Sequence, residues 1–279
     1  MTLKIAYQGV SGAYSHISSM NVFPNQEYVP CDTFEIAMDL VQKNVVDYAV
    51  IPVENSNAGR VADVHFLLPT MGIFIVGEYF LRVEHQLLVY PGRKLSDIEY
   101  AVSHPQALAQ CSEFLKKHNI KAVARIDTAK SCENIVEEAS KNKAAIASKL
   151  AGELYGLEIA ASNIENDNNN TTRFLIMAKS EKIPEYDRKS KYITSFIFRV
   201  RNIPAALYKA LGGFATNGIN MNKIESYLLD GKFVSAQFYV EIEGHPAQKS
   251  FQNAFEELKF YSEEVSVLGT YQENPFRNL

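Results

Sequence analysis

Through its first 180 residues the chain alternates short apolar runs with segments of helical period, and no other feature restricts the fold as strongly. LKIAY leads through a glycine-bearing turn into AYSHISSMNVF. In TFEIAMDLVQ the residues Phe34, Ala37, Leu40 and Val41 recur at helical spacing, with Asp32 placed to cap the helix. The strand DYAVIPV, the helical VADVHFLL and an extended stretch from Ile73 to Tyr90 follow. EYAVSHPQALAQCSEFLKKH is strand, turn and helix, with Pro105 suited to a first helical turn. AVARI, a helix through Val136, KAAIAS, KLAGELYG and RFLIMA complete the series. Alternation of this kind predicts an α/β domain with a mainly parallel sheet.

A length of 279 residues leaves room for a second domain. The charged stretch SEKIPEYDRKSK, 180–191, is the expected linker, dividing the chain into units 1–180 and 190–279. Beyond it the order changes to strand, helix, strand, an Asp230-Gly231 hairpin, strand, helix and strand. That is a ferredoxin-like βαββαβ unit. Gly218 stands where the first of its helices needs a left-handed terminator.

Neither a basic arm nor an acidic tail accompanies the net charge of -4, which argues against nucleic acid and membrane surfaces as partners. LKIAY begins without a basic segment and apolar signal core, and no apolar run reaches membrane-spanning length, so a cytoplasmic protein is expected. Cys31, Cys111 and Cys132 are scattered, as reduced thiols would be. The 6 histidines show no HxxxH or Cys-His spacing, so neither a metal nor a cofactor is expected.

The strands of the first unit end repeatedly on small polar groups. LKIAYQ runs into Gly9-Val-Ser11-Gly12-Ala-Tyr-Ser15, AVIPV into Glu54-Asn55-Ser56, and YAV into Ser103-His104-Pro-Gln106. ARI runs into Asp127-Thr128 and AAIA into Ser148. In open α/β sheets ligands bind beyond the carboxyl ends of strands, where helix N-termini offer free N–H groups to anions. A small polar, anionic ligand suits this inventory of hydroxyls and amides.

In this order YQGVSGAYS, PVENS, SHPQALAQC, AAIAS, AGELYGL and TTRF resemble the catalytic domain of prephenate dehydratases, and the βαββαβ unit resembles their ACT regulatory domain. The likeness runs from about residue 3 to 271. It implies a two-lobed fold like type II periplasmic binding proteins, with the substrate, prephenate or arogenate, in the cleft. No chorismate mutase helix precedes the first strand, so the monofunctional form is expected. By motif, Thr172 matches the threonine that acts as acid at the leaving hydroxyl, while Glu54, Asn55, Ser103 and Gln110 match polar residues of the pocket. Ser11, Ser56, Thr128 and Arg173 are further substrate-binding candidates. Alternate strand residues face opposite ways, so Arg173 is expected to form an ion pair while Phe174 returns to the Thr172 side.

The resemblance also implies a phenylalanine effector site and assembly as a homodimer or homotetramer. Its candidate residues are Ala205, Leu207, Asn217, Glu225 and Ser226. The chain departs from the family there. Ala205 replaces a glycine, and Glu225-Ser226-Tyr227-Leu228 lacks the arginine and proline of the family's ESRP motif. Two alternatives to prephenate dehydratase stay open: an arogenate dehydratase, and a non-catalytic sensor with the same cleft.

Overall fold

The computed structural model describes residues 2–125, 128–229 and 232–278. Asp127 and the expected Asp230-Gly231 hairpin lie outside the described residues. Strands β1 (Lys4–Gln8), β2 (Glu27–Cys31) and β3 (Tyr48–Asn55) alternate with helices α1 (Tyr14–Val22) and α2 (Phe34–Gln42). Strand β4 (Gly59–Arg60), helix α3 (Ala62–Leu67) and strand β5 (Phe74–Arg82) follow. The chain then crosses into a second lobe. Its first half is β6 (Gln86–Val89), β7 (Tyr100–Ser103), α4 (Pro105–Gln110), α5 (Ser112–Lys117) and β8 (Lys121–Ala124). Its second half is α6 (Lys130–Glu137), β9 (Lys143–Ala147), α7 (Lys149–Tyr155) and β10 (Glu158–Ala161). The chain returns to the first sheet as β11 (Thr171–Ala178).

The first sheet has the order β2-β1-β3-β11-β5, with β4 paired to β3, and the second the order β10-β6-β9-β7-β8. Both are mixed, each with one strand of its order running against the rest, an exception that the expectation of a mainly parallel sheet did not include. Strand–helix–strand units keep β1, β2 and β3 parallel, and likewise β7, β8 and β9. The strand that follows each lobe crossing runs the other way: β11 lies antiparallel between β3 and β5, and β6 antiparallel between β10 and β9. The α2 cap also differs from the sequence reading. Thr33, with extended backbone, accepts the Ile36 N–H on Oγ1 at 3.1 Å, leaving Asp32 one residue too early.

The C-terminal unit comprises β12 (Tyr192–Val200), α8 (Ala206–Thr216), β13 (Met221–Leu229), β14 (Lys232–Glu243), α9 (Lys249–Tyr261) and β15 (Ser262–Gln272). Its antiparallel order β13-β14-β12-β15 is that of a ferredoxin-like βαββαβ unit. Gly218, at φ 66°, follows α8 in the left-handed conformation foreseen for it. Phe196, Phe214, Phe251 and Phe255 fill the core between this sheet and its helices.

The opposite face of the C-terminal sheet shares a core with the first lobe, joining Ile193, Leu268 and Tyr271 to Ile75 and Val53. Gly269 makes the approach possible: a Cβ there would stand 1.9 Å from the carbonyl oxygen of Ile75. Among the described residues, no helix is long and apolar enough to cross a membrane.

Candidate functional site

The two crossings between the lobes run side by side. Val83 donates its N–H to the Asn170 carbonyl at 2.8 Å, and Ile164 donates to the His85 carbonyl at 3.0 Å. The His85 N–H in turn donates to Glu165 Oε2 at 2.9 Å. Beside these crossings the lobes enclose a cleft of about 400 Å³. Tyr14, Asn55 and Thr172 face it from the first lobe, Gln110 and Thr128 from the second, and His85 from the crossing itself.

Strand pairing explains why Asn55 and Thr172 meet. They are register partners at the ends of β3 and β11, and side chains alternate faces along each strand. Asn55 Oδ1 accepts the N–H groups of Asn57 and Ala58 at 3.0 and 2.9 Å. Those two donors fix the orientation of the amide, because an amide nitrogen could not accept them. Asn55 Nδ2 is therefore the group beside Asn170 Oδ1 at 2.8 Å and Thr172 Oγ1 at 3.0 Å. Since Nδ2 donates, Thr172 Oγ1 accepts there and its own hydrogen stays available to the cleft.

The network continues into the second lobe. Gln110 Nε2 lies 3.5 Å from Asn55 Oδ1, and Gln110 Oε1 lies 2.9 Å from His85 Nε2. His85 Nδ1 is 2.9 Å from the Tyr14 hydroxyl, which also donates to the Glu84 carbonyl at 2.9 Å. Burial lowers the His85 pKa, partly opposed by the Gln110 bond and by Glu165. Burial keeps the Tyr14 phenol well above its usual range, with Cys111 and Glu165 adding to the effect.

Several sequence candidates stand elsewhere. Glu54 is the register partner of Arg173 and shares its face, opposite to the cleft. Its carboxylate lies 2.9 Å from Lys223 Nζ on β13 and 3.5 Å from Arg173. Ser56 is exposed on that side and accepts the Thr171 N–H at 3.0 Å. Ser103 is fully buried and donates to the Ile146 carbonyl at 2.7 Å, linking β7 to β9. Ser11 is exposed on the turn after β1 and does not line the cleft. These placements correct the pocket assignments of Glu54, Ser56, Ser103 and Ser11. The physical reason is strand alternation for Glu54, a place in the turn beyond β3 for Ser56, backbone bonding for Ser103 and an exposed turn for Ser11.

Arg173 likewise turns away from the cleft, as the strand period required. It donates to Glu78 Oε2 from Nε and to Glu241 Oε1 from Nη1, each at 2.8 Å, and to the Tyr271 hydroxyl at 3.1 Å. Arg277 completes the cluster, donating to Glu78 at 2.7 Å and Glu241 at 2.7 Å. Burial opposes the Glu241 charge, but Arg173 and Arg277 outweigh it and hold that carboxyl at about 2.

In the C-terminal unit, Ala205 caps α8 in the left-handed conformation at φ 59°, and Leu207 packs on the phenylalanine-rich core. Asn217 Nδ2 donates to the Gly213 carbonyl at the end of α8, at 2.8 Å. Glu225 faces the first lobe, 3.0 Å from Arg60, and Ser226 is exposed beside it on β13.

His85 escaped the sequence reading. It lies in VEHQLLVY, without a motif, and only the crossing between lobes brings it to the cleft. Tyr14 was visible only as part of the polar turn after β1. Among the described residues no group of three or more His, Cys, Asp and Glu side chains is arranged to hold a metal ion.

The model of the prephenate dehydratase family matches residues 5–182. A bifunctional N-acyl-homoserine lactone acylase/prephenate dehydratase of Komagataeibacter europaeus is 43% identical, over 98% of this chain and 97% of its own. An arogenate dehydratase/prephenate dehydratase of Arabidopsis thaliana is 39% identical, over 96% of this chain and 72% of its own. The crystal structure of a prephenate dehydratase from Arthrobacter aurescens, in complex with L-Phe, is 26% identical. It superimposes with a TM-score of 0.89 over 97% of this chain and 90% of its own. With the extent of the family match and the Arabidopsis likeness, these findings place the chain in the prephenate dehydratase family.

Proposed function

We propose that the protein converts prephenate to phenylpyruvate by decarboxylating dehydration, in the route to phenylalanine. The orientation of Thr172 carries this reading: Asn55 Nδ2 donates to Oγ1, so the hydroxyl accepts there and its hydrogen is left to meet a leaving oxygen.

Prephenate loses its ring carboxylate as carbon dioxide and its ring hydroxyl as water, and the ring becomes aromatic. The electron pair of the breaking C–C bond enters the ring as the C–O bond breaks, and the departing oxygen takes a proton. Aromatisation supplies the drive. The protein has to hold the substrate in one geometry and stabilise the departing oxygen. Positioning can supply several kcal/mol of the barrier, about 7–11 in the most favourable cases. A hydroxyl is a weak acid in water, so Thr172 acts as a preorganised donor within the cleft. Asn55 sets its direction, and Gln110, held by His85, offers its amide from the opposite lobe.

The C-terminal unit is, in this reading, an ACT-type module that serves assembly into a homodimer or homotetramer. Phenylalanine regulation through it is expected to be weak. Ala205 puts a Cβ where the family has glycine, and Glu225 is engaged with Arg60 of the first lobe. A calorimetric titration with phenylalanine should show no micromolar binding.

One assay tests the main reading. The purified protein is given prephenate or arogenate while phenylpyruvate and phenylalanine are followed, with an N-acyl-homoserine lactone as a third substrate. Efficient phenylpyruvate release from prephenate is the expected outcome. Turnover of arogenate alone would replace the reading with an arogenate dehydratase, and turnover of neither would overturn it.

A further inference from the structure

The hydrogen bonds around His85 do not close when its ring is neutral. Asn55 Oδ1 faces Gln110 Nε2, which sets Gln110 Oε1 toward His85 Nε2. That oxygen only accepts, so Nε2 carries a hydrogen. A neutral ring then has a bare Nδ1, 2.9 Å from the Tyr14 oxygen. The Tyr14 hydroxyl has a single hydrogen and two neighbours that want it: Nδ1 and the Glu84 carbonyl, each at 2.9 Å. One contact stays unfilled. A protonated ring fills all of them, because Nδ1–H donates to Tyr14, Nε2–H donates to Gln110, and Tyr14 donates to Glu84.

Several groups bear on this ring. Tyr14 faces it from α1, and Cys111 stands just beyond α4, its thiol held protonated by burial and by Glu165. Glu84 precedes it on the same crossing, while Glu165 on the other crossing holds its backbone N–H. Arg82 lies 3.9 Å from Glu165 and offsets part of that charge. Burial prevails over these charges and disfavours the cation.

Among the described residues lining the cleft, those that can acquire a positive charge are His85 and His104. His104 Nδ1 accepts the Gln106 N–H at 3.2 Å and caps α4, which commits that nitrogen as an acceptor. His85 alone of the two has acceptors waiting at both nitrogens.

We propose that His85 becomes the cation of the cleft when a carboxylate-bearing ligand enters, taking up one proton from solvent as the ligand binds. The identity of that ligand rests on the dehydratase reading. The incoming negative charge favours the imidazolium, and the completed contacts to Tyr14 and Gln110 lock the two lobes around it. Uptake falls to zero at low pH, where the free protein is already protonated, and at high pH, where neither form is. It peaks between the free pKa, below the usual 6.5, and the raised pKa of the complex.

The test is calorimetric titration with phenylpyruvate near neutral pH, in buffers of different ionisation heat. Wild-type protein should take up ~0.5–1 proton per ligand, as a pKa displaced by one to three units requires, and His85→Gln should take up almost none. Binding without proton uptake, or equal uptake in His85→Gln, overturns the proposal and leaves the dehydratase reading intact. Failure to bind phenylpyruvate or prephenate at all overturns both. Because His85→Gln could fold poorly, imidazole ¹⁵N spectra of the wild-type protein provide a second measurement. Saturating ligand should bring both His85 nitrogens to the protonated position, and a persisting bare nitrogen would refute the assignment.

Discussion

Strands β3 and β11 present two contrasting faces. Toward the cleft they show Asn55, Thr172 and Phe174, which are neutral and joined to neighbours by directional hydrogen bonds or packing. Toward the C-terminal unit the same strands show Glu54 and Arg173, which enter an ionic cluster with Glu78, Glu241, Lys223 and Arg277. One residue of displacement separates the two environments. The contrast has a physical basis. A buried ion pair resists rearrangement because breaking it strands a charge. A hydroxyl held by one amide keeps a free hydrogen for chemistry. The charges lock the sheet to its neighbour, and the neutral face stays available to a ligand.

The largest effect should come from breaking the cleft face. Thr172→Ala is expected to lower kcat by roughly 10²–10⁴ with KM little changed, since the donor matters mainly in the transition state. Thr171→Ala should be mild, because that hydroxyl points to the other face and donates to the Asn169 carbonyl at 3.0 Å. Steady-state kinetics of the pair check the strand register. The reverse ranking would mean that the faces have been exchanged.

Next comes the charged face. Arg173→Met leaves Glu78 and Glu241 with Arg277 as their remaining cation among the pairs described. Loss of one partner of a buried pair costs about 3–5 kcal/mol, readable in urea unfolding. Adding Glu241→Gln to Arg173→Met should restore part of that loss, which separates a stranded charge from a simple packing defect.

Acid sharpens the comparison further. Glu241 is held at about 2 against an ordinary 4.5. A depressed carboxyl stabilises the fold above its unfolded pKa, and that contribution disappears as the pH falls from about 4.5 toward 2. The Tm of the wild-type protein should therefore decline over this range more steeply than that of Glu241→Gln. Parallel curves would show that the cluster does not depend on this charge.

Much of this contrast was legible in the sequence. The alternation rule assigned Thr172 and Arg173 to opposite faces, and the apolar periods located most helices. The same rule applied to PVENS would have separated Glu54 from Asn55, but motif resemblance had grouped them. Strand β2 was missed because EYVPC is short, carries Pro30 and lies at a sheet edge, where the apolar signal is weak. His85 and the mixed sheets could not be read because both follow from where the chain crosses between lobes. That is a long-range property without a local period.

The smallest expected effect concerns Ala205, away from both faces. Its φ of 59° and ψ of 21° put a Cβ-bearing residue in the left-handed region at the start of α8. Such a conformation costs an L-residue roughly 1–2 kcal/mol. Glycine would relieve that strain but would give the unfolded chain more freedom, returning about 0.4–1 kcal/mol. The difference favours Ala205→Gly by about 0–1.6 kcal/mol, a small upward shift of the urea midpoint with an unchanged slope. The substitution also tests the regulatory reading, because it restores the glycine that the family carries at this turn. If the missing glycine alone prevents effector binding, phenylalanine should bind Ala205→Gly measurably more tightly than wild type. If Glu225, engaged with Arg60 at 3.0 Å, is the greater obstacle, stability will rise while phenylalanine affinity does not. A fall in stability would contradict the strained conformation itself.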